Sequence, residues 1–286
     1  MDQKIKELYN AFKSGSFDRR KFLKKLTLLT GSATAAVGLL PFLEENDTKA
    51  AAIPGNDQTL HTEYIKYPGF TGEMKAYLAK PEGEEKLPSV IVIHENRGLV
   101  PHIEDVTRRM ASEGFLAMAP DALSPLGGTP ENIDEGRTLM QQLDNQSTIK
   151  NFVAAVEYLK THPLSTGKVG CTGFCWGGGM TNEVAVHSSD LSAAVPYYGR
   201  QPAPEDVPKI KASMLIHYAG NDERINSGIP AFEEALKNAS IDYKIFIYEG
   251  AQHAFNNDTS PDRYNKEAAD LAWKRTIDFF KEKLKT

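Results

Sequence analysis

KVGCTGFCWGGGMTN, residues 168–182, sets a cysteine in the middle of a glycine-flanked turn, Gly173-Phe174-Cys175-Trp176-Gly177, with Gly178 and Gly179 following. The spacing is that of the G-x-S-x-G nucleophile elbow, where a reactive side chain sits on a sharp turn between a buried strand and a helix. Sulfur here takes the place of the usual serine oxygen. Two readings compete: a catalytic thiol on an elbow, or a small buried hydrophobe beside a flexible turn. The elbow reading demands a strand before the cysteine and a helix after it. The run KVGCTGF reads as the strand and residues 176–187 as the helix. Gly173 and Gly177 are then expected to relieve crowding at the turn, and Gly178 and Gly179 to let helix and strand approach closely.

The same alternation runs outward along the chain. TEYIKYP and EMKAYLAKP flank Gly69-Phe70-Thr71-Gly72 and predict an antiparallel hairpin. PSVIVIHE, residues 88–95, is a continuous β-branched run, as in a strand covered on both faces. A helix over 102–114 and the strand FLAMAPD follow. TIKNFVAAVEYLKTH spaces Ile149, Phe152, Val153, Val156 and Leu159 as one helical face. AAVPYYG, SMLIHYAG and YKIFIYEG are further strands, PAFEEALKNA is a helix, and a last helix spans about Asn265 to Leu284. Strands alternating with helices predict a single α/β domain: a mostly parallel central sheet with helices on both faces and the hairpin at its N-terminal end. SPLGGTPENIDEG, residues 124–136, reads as the one long polar connection, a candidate lid or pocket rim.

The chain has 286 residues, 41% of them hydrophobic and 25% charged, an ordinary globular composition. Residues 1–52 carry nine Lys and Arg against six Asp and Glu, a net of +3; the remaining 24 basic and 32 acidic residues leave −8. An acidic body without a basic stripe argues against nucleic acid as a partner. The segment FDRRKFLKKLTLLTGSATAAVGLLPFL has a basic start and a weakly apolar run from Leu26 to Leu40, and Ala50-Ala51-Ala52 offers an A-x-A-type cleavage site before Ile53. Arg19-Arg20-Lys21-Phe22-Leu23-Lys24 is similar to a twin-arginine export signal, with Asp18 where Ser or Thr usually precedes the pair. The expectation is an export signal and pro-region over 1–52, a folded domain over 53–286, an export receptor as partner, and a periplasmic or extracellular destination. An N-terminal amphipathic helix that stays on a cytoplasmic protein is the alternative; the apolar run is short and polar for a permanent membrane span. The two cysteines, Cys171 and Cys175, exclude a disulfide framework. Along a strand their Cα atoms stand roughly 12 Å apart, beyond disulfide reach, so the Cys175 thiol stays free.

In a sheet of this kind ligands bind at the carboxyl ends of the strands. Cys175 follows KVGCTGF, Asp222 follows SMLIHYAGN, and His253 follows YKIFIYEG. The order nucleophile, acid, histidine is that of α/β hydrolases. His253 would take the thiol proton, and Asp222 would hold the imidazole in the required tautomer. The backbone N–H of Trp176 would face the oxyanion, and that of Asn96, in the loop after PSVIVIHE, would supply the second donor. Each residue also has a plainer reading: Asp222 as a turn former with Asn221 and Glu223 as rivals, His253 as a satisfied loop histidine, and His217 as core. Glu95, a carboxylate at the end of that strand, has no place in a simple triad. A metal site built on His94, Glu95 and the cysteines lacks a closed ligand set.

GFCWGG, PYYG, GNDERI, QHAF and HENRGL, spread over 53–286, resemble the dienelactone hydrolase family, the carboxymethylenebutenolidase-like α/β hydrolases with a cysteine nucleophile. The resemblance is nearest to exported members that carry a twin-arginine signal. It implies a triad of Cys175, Asp222 and His253, and it gives Glu95 the role of holding the resting thiol and helping generate thiolate when substrate arrives. One feature departs from the family pattern. Members that cleave dienelactone carry an arginine shortly after the catalytic histidine to hold the substrate carboxylate, whereas HAFNNDT offers Asn256 and Asn257. Arg97, Arg200 and Arg224 at strand ends are the candidates to replace it, and Tyr198 joins Arg97 and Arg200 as an expected substrate contact.

The expected function is therefore hydrolysis of a small-molecule ester or lactone through a thioester on Cys175, with no metal or organic cofactor. A general carboxylesterase or small-peptide hydrolase on the same fold is the alternative, and a thiol sensor or binding protein is a different class again.

Overall fold

The computed structural model describes residues 5, 8, 19–30, 32, 53, 55 and 57–285, and the chain divides into two compact units, Met1–Ala52 and Ile53–Thr286. In the first unit, helix α1 (Arg19–Thr30) contains the arginine pair, and its Thr27 and Thr30 hydroxyls fold back onto the carbonyls of Leu23 and Leu26. The rest of the expected signal over 1–52, apart from residues 5, 8 and 32 and including the Ala50–Ala52 site, lies outside the described residues. Among those described, no helix is long and apolar enough to cross a membrane.

The second unit is an eight-stranded sheet in the order β1-β2-β4-β3-β5-β6-β7-β8. Its strands are β1 (Leu60–Gly69), β2 (Gly72–Pro81), β3 (Leu87–Ile93), β4 (Leu116–Pro120), β5 (Ser165–Phe174), β6 (Leu191–Tyr197), β7 (Ser213–Asn221) and β8 (Tyr243–Gln252). β1 and β2 form the expected antiparallel hairpin, with Gly69 opposite Gly72. β2 also runs antiparallel to β4, and from β4 onward every pairing is parallel. The mostly parallel sheet with an N-terminal hairpin is the one that the alternation predicts, and its arrangement is α/β-hydrolase-like.

Period-two alternation explains how β3 is covered on both sides. Ile91 and Ile93 enter one apolar cluster with Phe152, Val184 and Phe232, while Val90 and Val92 enter the other with Ile103, Ala269 and Phe280. Helices α4 (Asn145–Thr161), α5 (Trp176–His187) and α7 (Ile229–Asn238) therefore lie on one face. Helices α2 (Pro101–Ser112) and α8 (Lys266–Lys283) lie on the other. Cys171 is fully buried in the first cluster, a packing residue.

The 124–136 connection is not a plain loop. After a 3₁₀ turn at Ser124–Leu126, the chain forms helix α3 (Ile133–Met140), capped by the Asn132 side chain, which accepts from the N–H groups of Asp134 and Glu135. An asparagine cap followed by acidic first-turn residues is a helix-start signal, hidden in the sequence by its polar, glycine-containing surroundings. A short one-turn helix, α6 (Glu223–Asn226), follows β7 and starts directly after Asp222.

Candidate active site

Cys175 sits between the last residue of β5 and the first of α5, with φ 57° and ψ −113°. A side chain in this region costs of order 1–3 kcal/mol, and such strain persists only where the surroundings over-determine it. Here its N–H donates to the Tyr197 carbonyl and its own carbonyl accepts from Gly179. Close approach of backbones holds the turn. A Cβ on Gly177 would stand 2.4 Å from the carbonyl oxygens of both Ile93 and His94, and one on Gly178 would stand 2.3 Å from that of Tyr197. Gly179 differs from the expectation: a Cβ there meets nothing nearer than Arg200 N at 3.5 Å, so packing does not require glycine.

Burial pushes the Cys175 thiol above its ordinary pKa and the Glu95 carboxylate pushes it further, while the Trp176 N–H hydrogen bond and Arg224 pull it back. The resting sulfur is a neutral thiol. Cys175 and His253 line one cavity, and His253 Nδ1 lies 2.5 Å from Asp222 Oδ2. A carboxylate only accepts, so Nδ1 carries a proton and Nε2 is the ring nitrogen that Asp222 leaves open. Asp222 is buried and His253 half-buried.

Glu95 follows the end of β3, is buried, and lines a recess of about 270 Å³ together with Cys175 and His253. Its Oε2 accepts from Asn257 Nδ2 at 2.7 Å, and Asn257 Oδ1 in turn accepts from Thr259 N and Oγ1. Asn257 thus anchors the carboxylate from the segment after His253. No local signal in the sequence marks that role, because the partners are 162 positions apart.

The expected substrate contacts separate into two places. Arg97 lines the 270 Å³ recess beside Glu95, and Arg137, Arg224 and Arg263 line it too. Arg137 and Arg263 were not singled out by the sequence; the first arrives on α3 and the second on the chain leading to α8. Among the described residues, Arg97, Arg224 and Arg263 have no ion-pair partner. Arg200 and Tyr198 border a larger cavity of about 650 Å³, and Cys175, His253, Arg224 and Asn96 line both this cavity and the recess. Tyr198 is only 1% exposed and packs its ring on His253, centroids 5.1 Å apart, so it backs the histidine more than it meets the cavity. Trp176 lines the larger cavity, with its indole stacked on the buried His94 ring at 5.4 Å and 13°. His94 Nε2 accepts the Ala122 N–H, which assigns the proton to Nδ1 and its hydrogen bond to the Glu95 carbonyl. His217 is a core residue, bonded to Tyr248 and Thr276, with its pKa pushed down to about 3 by burial.

Comparison with known proteins agrees with this architecture. A model of the dienelactone hydrolase family matches residues 74–284. A carboxymethylenebutenolidase-like protein of Saccharolobus solfataricus is 32% identical over 255 residues, covering 76% of this chain and 97% of that protein. One from Escherichia coli is 31% identical over 242 residues, 79% of this chain and 89% of that protein. The crystal structure of a dienelactone hydrolase-like protein of Klebsiella pneumoniae superposes with TM-score 0.69 at 28% identity, covering 77% of this chain and 98% of its own. With its hydrolase sheet, its cysteine elbow and a family match across most of the second unit, the chain belongs to the dienelactone hydrolase family and is a hydrolase.

Proposed function

We propose that the protein hydrolyses an ester or lactone bond of a small molecule through a thioester on Cys175. The observation that carries this reading is a strained cysteine and an Asp222-paired His253 lining one cavity. Cys175 Sγ attacks the carbonyl carbon as its proton passes to His253 Nε2, and Asp222 stabilises the imidazolium. Charge gathering on the carbonyl oxygen is met by the Trp176 N–H at the start of α5 and by that of Asn96. The carbon–oxygen bond breaks, and the leaving oxygen takes the proton from His253. Water then attacks the thioester with His253 as base, releasing the acid and the thiol. Water is the only co-substrate, so the cycle balances without a cofactor. Glu95 keeps the resting sulfur protonated, which suits a site that holds its thiol inactive until substrate arrives. The recess lined by Arg97, Arg137, Arg224 and Arg263 favours a substrate whose reacting bond lies next to an anionic group, in place of the arginine that HAFNNDT lacks.

The test is a panel of dienelactone, simple aryl esters and thioesters, assayed with Cys175→Ala and His253→Ala as controls. Either substitution is expected to lower kcat/KM by about 10⁴-fold with the fold retained, and in the parent protein an acyl group should be trapped on Cys175. Near-full activity in either variant would overturn the assignment. We also propose that residues 1–52 direct export through the twin-arginine motif and are removed after Ala52; the mass of the protein from its native host is then that of a chain starting at Ile53.

A further inference from the structure

Ile53 is held at both ends of its backbone. Its N–H donates to Asp105 Oδ1 at 2.7 Å, its carbonyl accepts from Arg108 Nε at 2.6 Å, and its side chain packs on the cluster beneath α2 and α8. Asp105 is 5% exposed. Its Oδ2 is taken by Arg109 Nη2 at 2.5 Å, and Arg108 Nη2 stands off from Oδ1 at 3.6 Å. The remaining charged and titratable groups around this point are accounted for. Arg108 Nη1 donates to the Tyr77 hydroxyl, and Glu104 is engaged by the Tyr64 hydroxyl. Arg109 also reaches Asp258 at 2.5 Å, with His102 at 3.4 Å from the same carboxylate. A buried carboxylate therefore presents one oxygen to the backbone nitrogen of residue 53, and the guanidinium beside it is the more distant partner.

We propose that this is a seat for a processed N-terminus: hydrolysis of the Ala52–Ile53 bond consumes one water, leaves a carboxylate on Ala52, and places the new α-ammonium of Ile53 on Asp105 as a buried ion pair. A backbone N–H needs no more than a carbonyl partner, and a full carboxylate held by arginine is better matched to a cation. The A-x-A signature, which ends at Ala52, and the seat, which begins at Ile53, identify the same bond from independent observations. The inference rests on the export-and-cleavage reading above. It also reaches the site, because Arg109 joins Asp105 to Asp258, and Asp258 follows the Asn257 that anchors Glu95.

The sign of the pH dependence follows from the pairing. An α-amino group titrates near about 7.7–8.0 in an unfolded chain, and a carboxylate partner raises that value in the folded state. The added stability is thus complete below about pH 7.7 and is lost as pH rises through the higher folded value.

The test uses the full chain with a protease recognition sequence placed before Ile53, so that cleavage leaves Ile53 first, and a second chain in which cleavage leaves one extra alanine. Both are melted from about pH 6 to about pH 10, a range spanning the α-amino titration. The Ile53-first protein is expected to melt roughly 2–4 °C higher at neutral pH, the shift that one kilocalorie produces at this size. The gap should close at high pH and in Asp105→Asn, where comparing the two termini cancels the cost of the substitution itself. Equal melting temperatures at neutral pH would overturn the seat. If Asp105→Asn does not fold, the pH dependence decides alone, and a gap that persists unchanged to high pH counts against the ion pair. A native-host mass that starts elsewhere would overturn the cleavage reading, whereas the correct mass with no thermal gap would overturn only the ion pair.

Discussion

At the residue scale, the proposed chemistry turns on why Cys175 is neutral at rest. Burial and the Glu95 carboxylate both disfavour the thiolate, against a weaker pull from the Trp176 N–H and Arg224. The midpoint for alkylation of Cys175 by a neutral haloacetamide is therefore expected above the ordinary thiol value. Glu95→Gln, which removes the nearest negative charge, should move that midpoint down; an unchanged midpoint would separate Glu95 from the thiol. Cys171, fully buried with its pKa pushed up to about 12, should stay unlabelled throughout. At this scale much was legible: the cysteine elbow, Asp222 and His253 can all be picked out by motif and strand-end position. His94, Asn257, Arg137 and Arg263 cannot. His94 invites a metal reading, yet its ring stacks on Trp176 and ties Glu95 to Ala122. Asn257 looks like a lost arginine, yet it anchors Glu95.

At the element scale, the strand–elbow–helix unit shows how a motif becomes a geometry. Gly177 opens α5 against the end of β3, and a methyl group there collides with two carbonyl oxygens that belong to backbone. Gly177→Ala is expected to cost about 1–3 kcal/mol or more in urea unfolding, with activity falling further because the Trp176 N–H and Cys175 move with the helix. Gly179→Ala is the contrast, since its Cβ finds ordinary space and alanine favours a helix by roughly 0.5–1 kcal/mol. A stabilised or neutral Gly179→Ala beside a damaged Gly177→Ala is the expected pattern, and equal costs would contradict it. The same scale holds an element longer than one turn that local reading missed. Helix α3 was masked by proline and glycine in the preceding residues, although Asn132, Asp134 and Glu135 together write its start.

For the whole molecule, folding places a histidine that never meets solvent in the second core. His217 is held neutral, its pKa pushed to about 3 by burial, against an unfolded value near 6.5. The unfolded state therefore binds more protons between these values. Stability is fully present above about pH 6.5 and is lost as pH falls, by up to about 1.4 kcal/mol per pH unit for this group. Urea unfolding at about pH 4.5, inside that window, and at about pH 7, above it, should show a smaller difference in His217→Asn than in the parent. An equal difference would mean that other groups govern the acid loss. The chain order by itself determined the alternation of strand and helix, the hairpin, the elbow and the sequence of cysteine, acid and histidine, because each is written in local spacing along the backbone. Tertiary structure alone decided that β3 lies between β4 and β5, with Ile93 beside Gly173. That register brings Glu95 to the sulfur's recess, lets Asn257 reach it across 162 positions, and gathers arginines from four separate segments. Periodicity reports which face of an element is apolar, but which strand ends become neighbours depends on sheet order, a product of packing that no local spacing encodes.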